Sequence, residues 1–335
     1  MIDRRMMLAG LAAVPLLDAV GAAAKAPAIG TVRRLDPALD RIVAPGASVT
    51  RLAEGFRWAE GPVWVPGSNC LLFGDPPSNT VHRWTAAKGV EIFLRPSGLQ
   101  TPVPAAIREP GLNGLALDAR GRLIAADSGS RAIVRIDLAT RQRETLADRF
   151  DGKRFNSPND LCVARSGAIY FTDPTYGLAE GDDSPLREVA WCGLYRLSPD
   201  GRVDLLDRSH RRPNGVALSP DERTLYLSLS DETRPEVLAY PLGADGMTGE
   251  SRQFLDMRAQ HDAGRPGLPD GIKVGASGHV FATGPGGVHV CTADARLLGV
   301  IETGNAIANC AIGKGGKVLF LTSSDSLAAI PLRSS

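Results

Sequence analysis

The sequence predicts an all-β chain folded as a six-bladed β-propeller, four strands to a blade, with the last blade closed by an N-terminal strand. Three observations predict it: a sixfold repeat at propeller spacing, strand-like segments that fill each repeat, and a short final repeat matched by a spare strand near the front. Six segments share one plan: a polar residue, a short apolar run, a turn and a second apolar run. Their leading residues are Glu60, Asn113, Asn159, Asn214, Asp270 and Asn309, spaced 53, 46, 55, 56 and 39 apart. That period belongs to four-stranded blades rather than to helical solenoids.

The first repeat joins Glu60-Gly-Pro-Val-Trp-Val to Cys70-Leu-Leu-Phe-Gly-Asp75 through a turn at Pro66-Gly67-Ser68-Asn69, residue types that favour turns. The second pairs Asn113-Gly-Leu-Ala-Leu with Arg122-Leu-Ile-Ala-Ala-Asp127, then adds Ala132-Ile-Val-Arg-Ile and Arg143-Glu-Thr-Leu-Ala, making four strands. The third pairs Asn159-Asp-Leu-Cys-Val with Ala168-Ile-Tyr-Phe-Thr-Asp173 and continues with Gly193-Leu-Tyr-Arg-Leu and Val203-Asp-Leu-Leu. The fourth pairs Asn214-Gly-Val-Ala-Leu with Thr224-Leu-Tyr-Leu-Ser. The fifth runs from Asp270-Gly-Ile-Lys-Val through His279-Val-Phe-Ala-Thr and Gly287-Val-His-Val-Cys to Leu297-Leu-Gly-Val-Ile. The sixth has room for only three strands before the chain ends, which would leave a blade edge with unpaired backbone groups. Ser48-Val-Thr-Arg-Leu52 alternates suitably to add as its outer strand.

Composition narrows the function classes. With 43% hydrophobic and 22% charged residues the chain can bury a sizeable core, and a net charge of +1 without a basic stripe argues against nucleic acid as partner. Arg4-Arg5, the apolar stretch Met6 to Val20 and the run Gly21-Ala22-Ala23-Ala24 read as an export signal of twin-arginine or Sec type, too short to span a membrane comfortably. Residues 1–28 are therefore expected to be signal and disordered tail, residues 29–335 a single propeller domain, and the mature protein periplasmic with no membrane span. Oligomeric state leaves no trace in the sequence. The five cysteines form no CxxC or Cys/His cluster, which argues against zinc or iron–sulfur centres, and one disulfide stays open. There is no Gly-x-Ser-x-Gly elbow, Walker loop or dinucleotide fingerprint, and the five histidines are scattered. An aromatic content of 5% offers no long stacking platform, so a small substrate is expected.

In a propeller the first strand of each blade lines the central channel, so the six leading residues should converge at one mouth. A role for Asn and Asp in turning the chain there accounts for Asn113-Gly, Asn214-Gly and Asp270-Gly but poorly for Glu60. Six oxygen-bearing side chains in register instead suit one hard divalent cation, two carboxylates balancing its charge and amides completing a loose shell. An open position on such an ion can polarise a carbonyl or phosphoryl oxygen.

Glu60-Gly-Pro-Val-Trp, Ser157-Pro-Asn-Asp160, Arg212-Pro-Asn-Gly215 and Pro269-Asp-Gly271 resemble the gluconolactonase branch of the SMP-30/gluconolactonase/LRE family, as do Phe171-Thr-Asp-Pro-Thr-Tyr-Gly177 and Gly284-Pro-Gly-Gly287. The resemblance runs from about Glu54 to Leu332. It implies a calcium-dependent propeller that hydrolyses sugar lactones such as gluconolactone, with zinc, manganese or magnesium as alternative ions. It implies Glu60, Asn159, Asn214 and Asp270 as metal ligands, Asp270 doubling as general base, and Asn113 meeting substrate or a metal-bound water. The long segment from Asp173 to about Val189, with Tyr176, Asp182 and Asp183, is a candidate lid over the mouth, Tyr176 being expected to touch substrate. Ser157 and Asp127-Ser128 depart from family patterns and are expected near that mouth. Phosphotriester hydrolysis at the same site, or a non-catalytic scaffold with a structural ion, are the competing readings.

Overall fold

The computed structural model describes residues 28–333. Within them the fold is an all-β propeller-like ring of antiparallel sheets. Four sheets have four strands each. They comprise Glu60–Val65, Cys70–Asp75, Thr80–Thr85 and Gly89–Leu94; Leu112–Leu117, Leu123–Asp127, Ala132–Ile136 and Arg143–Ala147; Leu161–Val163, Ile169–Asp173, Gly193–Leu197 and Val203–Asp207; and Pro213–Leu218, Thr224–Leu229, Glu236–Pro241 and Arg252–Asp256. Two short strands, Arg149–Phe150 and Lys153–Arg154, pair as a hairpin of their own, and the other strands form one nine-stranded sheet. Its order is Ile272–Val274, Val280–Gly284, Gly287–Cys291, Leu297–Glu302, Ala28–Arg34, Val49–Glu54, Ser326–Pro331, Val318–Ser323 and Asn309–Gly313.

Burial explains which segments are apolar on both faces. Second strands such as Cys70–Asp75 and Ile169–Asp173 are buried throughout, because each lies inside its sheet and is covered by a neighbouring sheet on either side. Outer strands such as Arg143–Ala147 show exposed positions and read as polar. The core is therefore a series of seams between sheets. Ile124, Ala126 and Ile133 meet Phe155, Phe171 and Tyr195 in one of them. Where the first sheet meets the last, Trp64 stacks on Phe320 with ring centroids 5.5 Å apart.

The spare strand acts as expected: Val49–Glu54 pairs with Ser326–Pro331, with Thr50 opposite Ala329 and Glu54 opposite Ser326. The sequence did not reveal Ala28–Arg34. Ala28 and Gly30 pair with Thr50 and Val49, and Thr31 to Arg34 then pair with Leu297–Glu302, so this strand joins two groups of four strands into the nine-stranded sheet. The expected leader, 1–28, lies outside the described residues except for Ala28, which opens this strand. A short helix, Arg258–Asp262, also went unforeseen. Among the described residues all five cysteines are free, and no helix is long and apolar enough to cross a membrane.

The Asn-Gly and Asp-Gly pairs are not turns. Gly215 lies within its strand, and a methyl group there would overlap the carbonyl oxygen of Asp270 in the next sheet. A methyl at Gly271 would overlap the Asn309 side chain. These glycines let neighbouring first strands approach at the channel, which brings the polar residues beside them together.

Candidate active site

Glu60 opens its strand, Asn113 and Asn214 are second in theirs, and Asn159 and Asp270 stand two residues ahead of Leu161–Val163 and Ile272–Val274. All five line one cavity of about 590 Å³. Asn113 Oδ1, Asn159 Oδ1 and Asp270 Oδ1 are buried there without a hydrogen-bond partner. The Asn214 amide donates from Nδ2 to Ser230 Oγ at 2.8 Å, so its oxygen end points away from that bond. Glu60 accepts from the Gly61 N–H through one carboxylate oxygen.

Buried oxygens left without donors cost free energy, on the order of 1–3 kcal/mol each, unless a ligand satisfies them. Burial pushes the Glu60 carboxyl up to about 8, the Gly61 N–H opposing and Asp160 adding to the rise. Asp270 is raised well above the usual carboxylate range, by burial first and then by Glu60, Asp160 and Glu109. Two carboxylates that repel, set among amide oxygens, fit a hard divalent cation. These five side chains offer carboxylate and amide oxygens and neither nitrogen of a ring nor sulfur, so the set does not suit a nitrogen- or sulfur-bound ion.

Asn309 corrects the expectation of six converging residues, because it does not line the cavity. Its Oδ1 accepts from Lys273 Nζ at 3.0 Å and from the Cys310 N–H at 2.9 Å. Its Nδ2 reaches Asp160 Oδ2 at 3.5 Å. Lys273 Nζ stands 3.7 Å from Asp160 Oδ2, and Asp160 also takes the Leu161 N–H at 2.8 Å. Burial alone would lower the Lys273 pKa, but Asp160 and other anionic neighbours raise it, so the ammonium stays charged. Asp160 and Lys273 were missed as site residues. Their signal was available: both are charged residues in or beside first strands, where an apolar core offers no place for charge.

Loops form the cavity mouth. Tyr176 lines it, as expected, with its hydroxyl buried and unpartnered. The 173–189 segment is a fixed wall rather than a free insertion. Its Gly177 carbonyl accepts the Arg108 N–H at 2.8 Å, and the Ala179 N–H reaches Ala106 O at 3.0 Å. Asp182 binds Thr175 Oγ1 at 2.7 Å and Arg212 at 3.0 Å, tying the wall to the strand that carries Asn214. Asp183 is exposed and does not line the cavity. Ser157 and Asp127-Ser128 are corrected from the mouth to the interior. Ser157 Oγ bonds Pro174 O at 2.7 Å, Ser128 Oγ bonds Pro158 O at 2.8 Å, and Asp127 pairs with Arg143. Trp58, Glu109 and His261 line the cavity without having been anticipated.

The SMP-30/Gluconolactonase/LRE-like region profile matches residues 58–325. A gluconolactonase of Zymomonas mobilis is 44% identical over 306 residues, covering 90% of this chain and 86% of that one. A gluconolactonase structure from Xanthomonas campestris superposes with a TM-score of 0.78 at 33% identity, over 93% of this chain and 99% of the other. A calcium-binding regucalcin from Agrobacterium tumefaciens shares the fold, with a TM-score of 0.66 at 19% identity over 85% of this chain and 94% of the other.

Proposed function

This chain belongs to the SMP-30/gluconolactonase/LRE-like family and is a lactone-hydrolysing enzyme, a carboxylic-ester hydrolase; from that premise we propose that it opens sugar lactones such as gluconolactone at the channel mouth. One divalent ion, calcium first among the candidates, is held by Glu60, Asn159, Asn214 and Asp270. The observation that carries this reading is the set of buried, partnerless oxygens of Asn113, Asn159 and Asp270 facing one cavity.

When bound, the ion supplies Lewis acidity, drawing charge from the lactone carbonyl and stabilising the oxyanion. The chain supplies the rest. Asp270, through the carboxylate oxygen that the ion would leave free, takes a proton from the attacking water. Asn113 orients that water or the substrate, and the Tyr176 hydroxyl donates to a substrate oxygen. Water adds to the acyl carbon, the ring C–O bond breaks, and the ring oxygen leaves as a hydroxyl carrying the proton that Asp270 took from the water, giving the open aldonic acid. Positioning of this kind lowers the barrier alongside polarisation.

Stripping the protein with a chelator should lower gluconolactone hydrolysis by at least about a hundredfold, with calcium restoring it. Calcium at a hundred times its Kd should stabilise the fold by about 2.7 kcal/mol, read by calorimetry. Undiminished turnover in chelator would overturn the metal assignment.

We count the nine-stranded sheet as two blades joined by Ala28–Arg34, which makes six. Residues 1–28, with Arg4-Arg5 and the apolar Met6 to Val20, serve as an export signal to the periplasm ahead of one domain, 29–335. Fractionation of cells expressing the full chain should find the shortened protein in the periplasm; retention of the full-length form in the cytoplasm would refute this.

A further inference from the structure

Once the oxygens of the metal set and the Tyr176 hydroxyl are assigned, one buried, partnerless side-chain group of the cavity, among the described residues, has no task. Glu109 lines it with Oε2 buried and without a hydrogen-bond partner. No Lys, Arg or His lies within ion-pair distance of its carboxylate among the described residues. The backbone holds it in place: the Glu109 N–H donates to Gly177 O at 3.2 Å, the Leu99 N–H to Pro110 O at 2.7 Å, and the Gly111 N–H to Pro76 O at 3.0 Å. Glu109 is thus fixed from both sides, between the Tyr176 wall and the strand of Asn113. It is near enough to Asp270 to raise that carboxyl's pKa. Burial pushes its own carboxyl up to about 7, with Arg108 opposing.

A carboxyl in this position costs free energy in the free protein and is satisfied by hydroxyl donors of a ligand. Leu268 and Ile307, also in the lining, offer nothing to hydroxyl groups. Resting on the lactonase reading, we propose that Glu109 is the specificity residue that accepts hydrogen bonds from the ring hydroxyls of a polyhydroxylated lactone. It discriminates such substrates from lactones that carry the same ester and no hydroxyl groups. A site built to bind hydroxyls rejects an analogue lacking them, because its buried polar group is then left unpaired.

The test compares glucono-δ-lactone with δ-valerolactone for the wild type, Glu109→Ala and Glu109→Gln, each loaded with calcium. Glu109→Ala should lose roughly 10- to 100-fold in kcat/KM on gluconolactone, chiefly through KM, and stay within about twofold on valerolactone. Glu109→Gln, which keeps an acceptor and the shape, should fall between. Both variants should melt at or above the wild-type temperature, since a strained buried carboxyl has been removed. Equal losses on both lactones would overturn the proposal and assign Glu109 to the bond-breaking step or, with a lowered melting temperature, to the fold. Unchanged kinetics on both would show that the carboxyl does not meet substrate. A wild-type enzyme inactive on both lactones would sink the lactonase reading itself, and this inference with it.

Discussion

Replacing Asp270 by Asn should lower kcat for gluconolactone by about three orders of magnitude, within the ~10²–10⁴ range that a positioned base contributes. The change is nearly isosteric, so the cavity keeps its shape while two things are lost. The amide cannot take a proton from water, and the site keeps only the Glu60 carboxylate to balance a divalent charge. Calcium affinity should therefore fall as well. Titrating calcium separates the two effects. If kcat stays low at saturating calcium, Asp270 acts as base; if excess calcium restores kcat, its role is that of a ligand alone. Asn159→Ala makes the contrast, because it should weaken calcium binding and leave kcat at saturation much closer to wild type.

Lys273→Met should destabilise the fold by about 3 kcal/mol, the low end for breaking a buried ion pair. The low end applies because 24% of the Lys273 side-chain surface stays accessible, against 2% for Asp160, so water softens the loss at one partner only. Removing the ammonium strands the Asp160 carboxylate and takes a donor from Asn309. For a domain of about 300 residues the melting temperature should fall by about five degrees. The double variant Lys273→Met/Asp160→Asn should recover most of that loss, since neither charge then remains unpaired. A single variant that melts with the wild type would show that the channel floor does not rest on this pair.

The spacing of the repeats carried the ring architecture, because a blade is the unit in which each apolar face finds its partner. The same spacing pointed to Glu60, Asn113, Asn159, Asn214 and Asp270, which do share one cavity. It overreached at Asn309. There the side chain packs over Gly271 and binds Lys273 instead of facing the mouth. The glycines after Asn113, Asn214 and Asp270 left a turn-forming role open, although close approach of neighbouring strands is what requires them at Gly215 and Gly271. Glu109 was illegible for a different reason. It sits in a connection without periodicity, and its place depends on a backbone bond to Gly177, far along the chain. Ser157 was expected near the mouth from its place in its motif, but its hydroxyl is spent on Pro174 and Gly177. The strand Ala28–Arg34 offers too short a pattern to be told from linker, and its partner Leu297–Glu302 lies at the other end of the sequence.

The pairing of Thr50 with Ala329 spans 279 residues, and it has a kinetic meaning. The entropy of closing a flexible loop of that length is about 5 kcal/mol, so this seam cannot nucleate folding. The sheets must form first, each from local hairpins, and the ends must meet last. High contact order of this kind makes folding slow. The reverse path begins at the same place: the seam has to part before any sheet can leave the ring. The lifetime of the folded protein, and its resistance to proteases, is therefore governed by how often two short strands near opposite ends of the chain let go of each other.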